Sequence, residues 1–179
     1  MGLTQVYPRW SHPVGGGDKG TVHDYLPTYE RFLTRTHQVT VVEIGVWMGH
    51  SIGMWQEFFT DSTVHGLDVD LSRVLFDLPH LHTCDATDAA QVQAVLAGTT
   101  FDYVIDDGSH ALGDQLAAFA IFWPRVTPGG AMFIEDVDGQ DALDALVERV
   151  REQGVTPHVY DGRGPGRQWD EIMVVAVKP

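Results

Sequence analysis

The chain predicts an α/β protein, a doubly wound and mostly parallel sheet of seven strands behind a short N-terminal arm. Three observations lead there. From residue 39 onward, short β-branched runs alternate with segments of helical periodicity, as crossover helices between parallel strands require. The last two strand-like runs have no helix between them, so they should close the sheet as an antiparallel pair. Acidic residues gather where successive strands end, the edge beyond which open α/β sheets bind ligands.

Residues 1–38 form the arm, and residues 39–179 the sheet domain. VTVVEIG (39–45) reads as the first strand, and SIGMWQEFF (51–59) as a helix with Ile52, Trp55 and Phe59 on one face. STVHGLDVD (62–70) and HLHTCDATD (80–88) are the second and third strands, and Asp88 suits the start of the helix over 88–97. FDYVID (101–106) is the fourth strand. A helix over 113–126 follows, closed by Pro128-Gly129-Gly130. AMFIED (131–136) is the fifth strand, and residues 141–153 are an amphipathic helix stopped by Gly154. VTPHVY (155–160) and EIMVVAVK (171–178), joined by DGRGPGRQWD, complete the sheet.

A length of 179 residues fits one domain, and 44% hydrophobic residues suffice for a core. The balance of 11 basic against 25 acidic residues gives a formal charge of −14, which repels nucleic acid and anionic membranes. Arg163 and Arg167 are the nearest approach to a basic cluster. Cys84, the single cysteine, excludes an internal disulfide framework and reads as a small buried residue in a reducing compartment. MGLTQVYPRW has neither the charged nor the apolar region of a signal peptide, and no apolar run approaches the ~20 residues of a membrane span. These features point to a soluble, cytoplasmic protein.

The loop EIGVWMGHS, Glu43 to Ser51, joins the first strand to the first helix, with Gly45 and Gly49 relieving crowding where a ligand approaches the backbone. Its spacing is E-x-G-x-x-x-G rather than the G-x-G-x-x-G of dinucleotide sites, and Trp47 stands where a small residue would admit pyrophosphate. Asp68, at the end of the second strand, can accept both hydroxyls of a ribose. GGGDKGT is not a phosphate loop, because Lys19-Gly20-Thr21 has the wrong order and precedes the first strand. Adjacent fourth and fifth strands would bring Asp107 to the Glu135–Asp136 pair. Three such carboxylates repel unless one takes up a proton or a cation neutralises them, and all-oxygen ligands suit Mg2+. Asp106 should face the opposite side of an extended strand from Asp107. His110 titrates near neutrality and could accept a substrate proton. His80 and His82 share a strand face without a third ligand in view, and read as surface residues. Trp47, Trp55 and Trp123 read as core, and Trp169 as part of a substrate-side lid.

The glycine-containing first loop, Asp68 and the closing strand pair together resemble the Rossmann-like class I S-adenosylmethionine-dependent methyltransferases. Four ordered segments sharpen that resemblance: DKG-T-x-H-x-Y (18–25) followed by YERFL, VEIG (42–45), DDGSH (106–110) and IED (134–136). They are similar to those of the metal-dependent macrolide sugar O-methyltransferases and the related cephalosporin hydroxylase-like family. The resemblance implies S-adenosylmethionine and Mg2+ as cofactors. It places Glu43, Gly45, Gly49, Ser51, Asp68, Asp85 and Asp106 along the methyl donor, with Asp85 near the adenine. The arm would cover the donor's amino-acid end through Thr21, His23 and Tyr25. Asp107, Glu135 and Asp136 would hold the metal, with His110 as base and Asp107 its competitor. The acceptor would be a small molecule offering a sugar hydroxyl, and the exposed arm suggests a homo-oligomer whose neighbouring subunits complete the pocket. Three other readings stay open: a metal-independent methyltransferase, a nicotinamide-dependent oxidoreductase, opposed by the missing second glycine, and a non-catalytic cofactor-binding module.

Overall fold

Chain reversals at helix and loop after each parallel strand place β1 (Thr40–Ile44) in the interior of the sheet. The computed structural model describes residues 2–11, 17–165 and 169–179. Around β1 stand β2 (Thr63–Asp68), β3 (Leu81–Thr83), β4 (Phe101–Asp106), β5 (Val126–Ile134), β6 (His158–Asp161) and β7 (Ile172–Val177). Their order is β3-β2-β1-β4-β5-β7-β6, with β1 to β5 parallel and β7 antiparallel to both β5 and β6. The doubly wound sheet and its antiparallel close are as the sequence predicts. The central strands are buried on both faces, as Val41, Val42, Tyr103, Val104 and Ile105 show, which is why they read as continuous apolar runs.

One face carries α4 (Ala89–Leu96), α5 (Leu112–Phe122) and α6 (Gly139–Arg151), over a core that includes Val42, Val104, Phe119 and Leu146. The other carries α1 (Leu3–Val6), α2 (Leu26–Phe32) and α3 (His50–Phe58), over a core with Tyr29, Trp55, Tyr103 and Phe133. The arm is therefore a packed layer. Leu3, Val6, Tyr25 and Tyr29 are fully buried. Trp10 lies on α3 at Gly53, where a Cβ would meet its ring at 2.1 Å, and its indole N–H donates to Glu57 at 2.8 Å. Among the described residues, no helix is long and apolar enough to cross a membrane.

Three expectations need correction. Pro128-Gly129-Gly130 does not close a helix; α5 ends at Phe122, and the three residues lie inside β5. A Cβ at Gly130 would meet the Asp102 carbonyl oxygen at 2.4 Å, so glycine permits the close approach where the β4–β5 register shifts. β3 is only three residues long, because Asp85 folds back on Thr87 and Asp88 caps α4 through the Ala90 N–H at 2.8 Å. Trp55 and Trp123 are buried as expected, but Trp47 is 53% exposed, with the Arg73 guanidinium 4.3 Å over its ring. Trp169 is also exposed, and Arg167 lies outside the described residues.

His80 and His82 have the third partner that the sequence hid. His65 on β2 places its Nδ1 3.2 Å from Nε2 of His82, and its ring stands 5.4 Å from that of His80. Burial, then repulsion from His82 and His80, pushes the His65 imidazole down from 6.5 to about 4. Between those values the unfolded chain binds a proton that the folded one refuses, so this contribution is present above pH 6.5 and is lost as the pH falls towards 4. His65→Asn should flatten the loss of stability between pH 6.5 and 4.5 relative to the unsubstituted chain, read as urea midpoints across that range; parallel curves would contradict the assignment.

Candidate active site

A cavity of about 680 Å3 opens beyond the carboxyl ends of β1, β2 and β4. It sits where the chain, having laid β2 and β3 to one side of β1, returns to lay β4 on the other, the position at which open α/β sheets bind ligands. Each strand's hydrogen bonding runs one residue past its end. Gly45 N–H donates to the Leu67 carbonyl at 2.8 Å, Asp107 to Ile44 at 2.9 Å and Glu135 to Asp106 at 2.9 Å. This locks the functional loops in register. Gly45 has φ +89°, and a Cβ there would lie 2.0 Å from the Asp107 carbonyl oxygen, so only glycine lets the two loops touch.

One half of the wall is built for the β1–α3 loop and the end of β2. Asp68 accepts the Val46 N–H at 2.8 Å and the Trp47 N–H at 3.0 Å on Oδ2, and the Asp70 N–H at 3.0 Å on Oδ1. It thus holds the loop around the cavity, with acceptor capacity left on Oδ1. Asp85 faces the same space, its Oδ1 taken by the Thr87 N–H at 2.9 Å and hydroxyl at 2.7 Å. Ser51 lines the wall and donates to Glu43 at 2.7 Å. Glu43 itself is fully buried behind the wall, and burial raises its pKa. Gly49, at φ +89°, begins α3 outside the wall.

The other half is acidic. Asp106 and Asp107 both line the cavity, Asp106 beside His110 and Asp114 of α5, and Asp107 against Lys19 of the arm. Asp106 is 4% exposed, its Oδ2 has no hydrogen-bond partner, and burial above all raises its carboxyl to about 7. His110 and Asp136 adopt φ of +60° and +51°, conformations that non-glycine residues tolerate only where the surroundings impose them, commonly at functional sites. His110 Nε2 stands 3.4 Å from Asp107 Oδ1 and 3.7 Å from Asp136 Oδ2, without a hydrogen bond. Among the described residues these three side chains form a group whose ligand atoms lie within 4.8 Å of one another. Two carboxylates and an imidazole aimed at one space, with atoms left unpartnered, suit a small divalent cation. Burial lowers the His110 pKa, but Asp107, Asp136 and Asp106 outweigh it and leave the imidazole raised.

Glu135 lies behind this group, where the sequence did not place it. Its carboxylate takes the Lys19 ammonium at 2.8 Å on both oxygens and the Tyr29 hydroxyl. Lys19 is 1% exposed and also reaches Asp107 Oδ2 at 2.6 Å and Glu43 at 3.4 Å. Burial alone would discharge it, but Asp107 and Glu135 together hold its pKa well above the ordinary value. Burial likewise pushes Asp107 up, and Lys19 and His110 more than reverse it. Tyr25 donates to Asp136 Oδ1 at 2.7 Å, and His23, stacked on Tyr25, has Nε2 3.6 Å from the same oxygen. Thr21 is exposed and hydrogen-bonds Tyr7 at 3.1 Å. Of the arm, the cavity wall receives Gly17, Asp18 and Lys19 rather than Thr21, His23 or Tyr25. Lys19 and the buried Gln115, which donates to the Glu135 carbonyl at 2.9 Å, are the site residues that sequence reasoning missed. A lysine next to an aspartate in an arm preceding several inward acids was the available signal.

Residues 42–137 match a family described as a methyltransferase domain. An O-methyltransferase from Streptomyces olivaceus, acting at the 2′ position of a rhamnosyl tetracenomycin, is 37% identical over 68% of this chain and 35% of its own length. Mycinamicin VI 2″-O-methyltransferase from Micromonospora griseorubida is 38% identical over 66% of this chain and 32% of its own. The chain thus spans about a third of these curated relatives. Among solved structures, the MycE methyltransferase of mycinamycin biosynthesis, in complex with Mg, SAH and mycinamycin VI, superimposes with a TM-score of 0.75. It is 27% identical, and the match covers 99% of this chain and 55% of that one.

Gly45→Ala should destabilise the fold by more than about 1 kcal/mol, because both φ and the Asp107 carbonyl oppose a side chain. Gly113→Ala in α5, where a Cβ meets nothing within 4 Å, should be neutral or stabilising by up to about 1 kcal/mol. Urea denaturation of both variants checks the contrast.

Proposed function

Because this chain belongs to the methyltransferase-domain family, we propose that it transfers a methyl group from S-adenosylmethionine to a hydroxyl of a sugar or glycosylated small molecule, with Mg2+ in the acidic half of its cavity. The carrying observation is the division of one cavity into two parts. Asp68 and Asp85 stand on one side, and the group of Asp107, His110 and Asp136 stands on the other. The relatives named as sugar O-methyltransferases, and a similar structure holding Mg and SAH, support the reading.

In this reading Asp68 takes the ribose hydroxyls and Asp85 lies towards the adenine. Gly45 lets the donor approach the backbone, and Ser51 and Asp106 sit beside its path. The arm closes the donor's side of the cavity through Gly17 to Lys19. Asp107 and Asp136 would hold the cation with oxygens that already face His110, and Glu135 adds its charge from behind. Bound in place, Mg2+ acidifies the acceptor hydroxyl, and the donor supplies an electrophilic methyl group. His110 then receives the hydroxyl proton at Nε2, the atom the fold leaves without a hydrogen bond. The Asp107 and Asp136 carboxylates, 3.4 and 3.7 Å from that nitrogen, favour its protonated form. The hydroxyl oxygen forms the new bond to carbon as the C–S bond breaks, and the proton leaves with His110. Assembly of several copies belongs to the same proposal, and light scattering would test it.

The test is methyl transfer from labelled S-adenosylmethionine to a panel of rhamnosides and macrolide glycosides, with and without EDTA. Turnover should vanish on chelation and return with Mg2+; turnover that survives chelation would remove the cation from the reaction. Absence of donor binding by calorimetry in the folded chain would end the whole reading. Asp136→Asn should lose at least about 100-fold in rate with the fold kept. His110→Ala should lose about 10²- to 10⁴-fold in kcat, with donor affinity little changed.

A further inference from the structure

The two carboxylates that face His110 are each gripped through one oxygen by a residue of the N-terminal arm. Lys19 Nζ binds Asp107 Oδ2 at 2.6 Å, leaving Oδ1 to face His110. Tyr25 Oη binds Asp136 Oδ1 at 2.7 Å, leaving Oδ2 to face the same imidazole. The Lys19 ammonium has three N–H donors and is surrounded by the three carboxylates of Asp107, Glu135 and Glu43. Both clamps are buried, Lys19 and Tyr25 at 1% and 0% exposure, with Lys19 reaching the cavity wall and Tyr25 standing behind it. The arm itself is anchored elsewhere, by Tyr29 against Trp55 and Phe133 and by Trp10 on α3.

We infer that Lys19 and Tyr25 are positioning residues that fix Asp107 and Asp136 in their cation-accepting orientation before any cation arrives. The inference rests on the cation-dependent reading above and adds to it the device that assembles the site. Without the clamps, carboxylates a few ångströms apart repel and turn away from one another, so the oxygens are no longer preset.

Coulomb attraction and positioning make opposite predictions for Lys19. Removing a positive charge from beside a cation site should tighten divalent binding if the charge alone matters. If Lys19 positions Asp107, its removal weakens binding. Tyr25→Phe removes a hydroxyl and no charge, so any change it causes comes from orientation. The experiment is Mn2+ binding to the donor-free, folded chain, followed by electron paramagnetic resonance, with no turnover required. Lys19→Met should weaken Mn2+ binding at least about tenfold, and Tyr25→Phe by a similar factor, as partners of metal ligands commonly do. Affinity that is unchanged or tighter in either variant overturns the assignment for that residue. Should Lys19→Met not fold by circular dichroism, the charge-balanced Lys19→Met/Glu43→Gln variant replaces it under the same criterion. An unsubstituted chain that takes up no Mn2+ would overturn this inference together with the cation-dependent reading. Uptake that is indifferent to both variants overturns this inference alone.

Discussion

Negative charge at the rim of the sheet is the constraint around which this molecule is built. β1, β4 and β5 each deliver carboxylates to one edge, and Glu43, Asp106, Glu135 and Asp136 are all nearly sealed from water. Buried charges are tolerated when paired and hydrogen-bonded, and are otherwise driven to take up protons. The Lys19 ammonium meets that requirement for the inner acids, and the hydroxyls of Tyr25 and Tyr29 extend it to Asp136 and Glu135. These groups come from the arm, whose apolar side chains supply the attachment. Each fully buried Tyr or Leu contributes roughly 1.5–3 kcal/mol, so Leu3, Tyr25 and Tyr29 can hold a buried cation against its tendency to return to water.

The two halves of the cavity meet through the backbone. The carbonyl of Asp107 lies against Cα of Gly45, and Asp107 N–H bonds the last carbonyl of β1. The loop that would receive a methyl donor is thereby fixed relative to the acids that would face an acceptor. In-line transfer between two bound molecules needs that kind of rigid spacing, because rate falls steeply when reacting atoms are misplaced by about 1 Å. The strained φ values of His110 and Asp136 fall on this same rim, where neighbouring strands restrict how far the backbone could relax.

Much of this was legible in the sequence, and the parts that were not share a cause. The central strands announced themselves because burial on both faces demands unbroken β-branched runs, and Asp88 announced a helix because its carboxylate caps one. Features set by contacts distant in sequence stayed hidden. Pro128-Gly129-Gly130 looks like a helix stop until the neighbouring strand explains why Gly130 must be small. Asp107 and Asp136 were recognisable as acids at strand ends, yet nothing nearby in the chain says which oxygen faces the cavity. His65 could not be joined to His80 and His82 without the β2–β3 register. Lys19 was dismissed with the phosphate loop it does not form, since its partners lie 88 and 116 residues further on.

That separation has a consequence for how the chain matures. During synthesis the lysine emerges early and must remain without its partners until β4 and then β5 have formed and aligned. The same holds for the acids, which have no internal cation until the arm has docked over α3. The rim therefore cannot take its final form before the arm, β4 and β5 have come together. Its completion reports that the arm and the acidic edge of the sheet have come together. A partly folded chain would have the acids but no fixed arrangement of them.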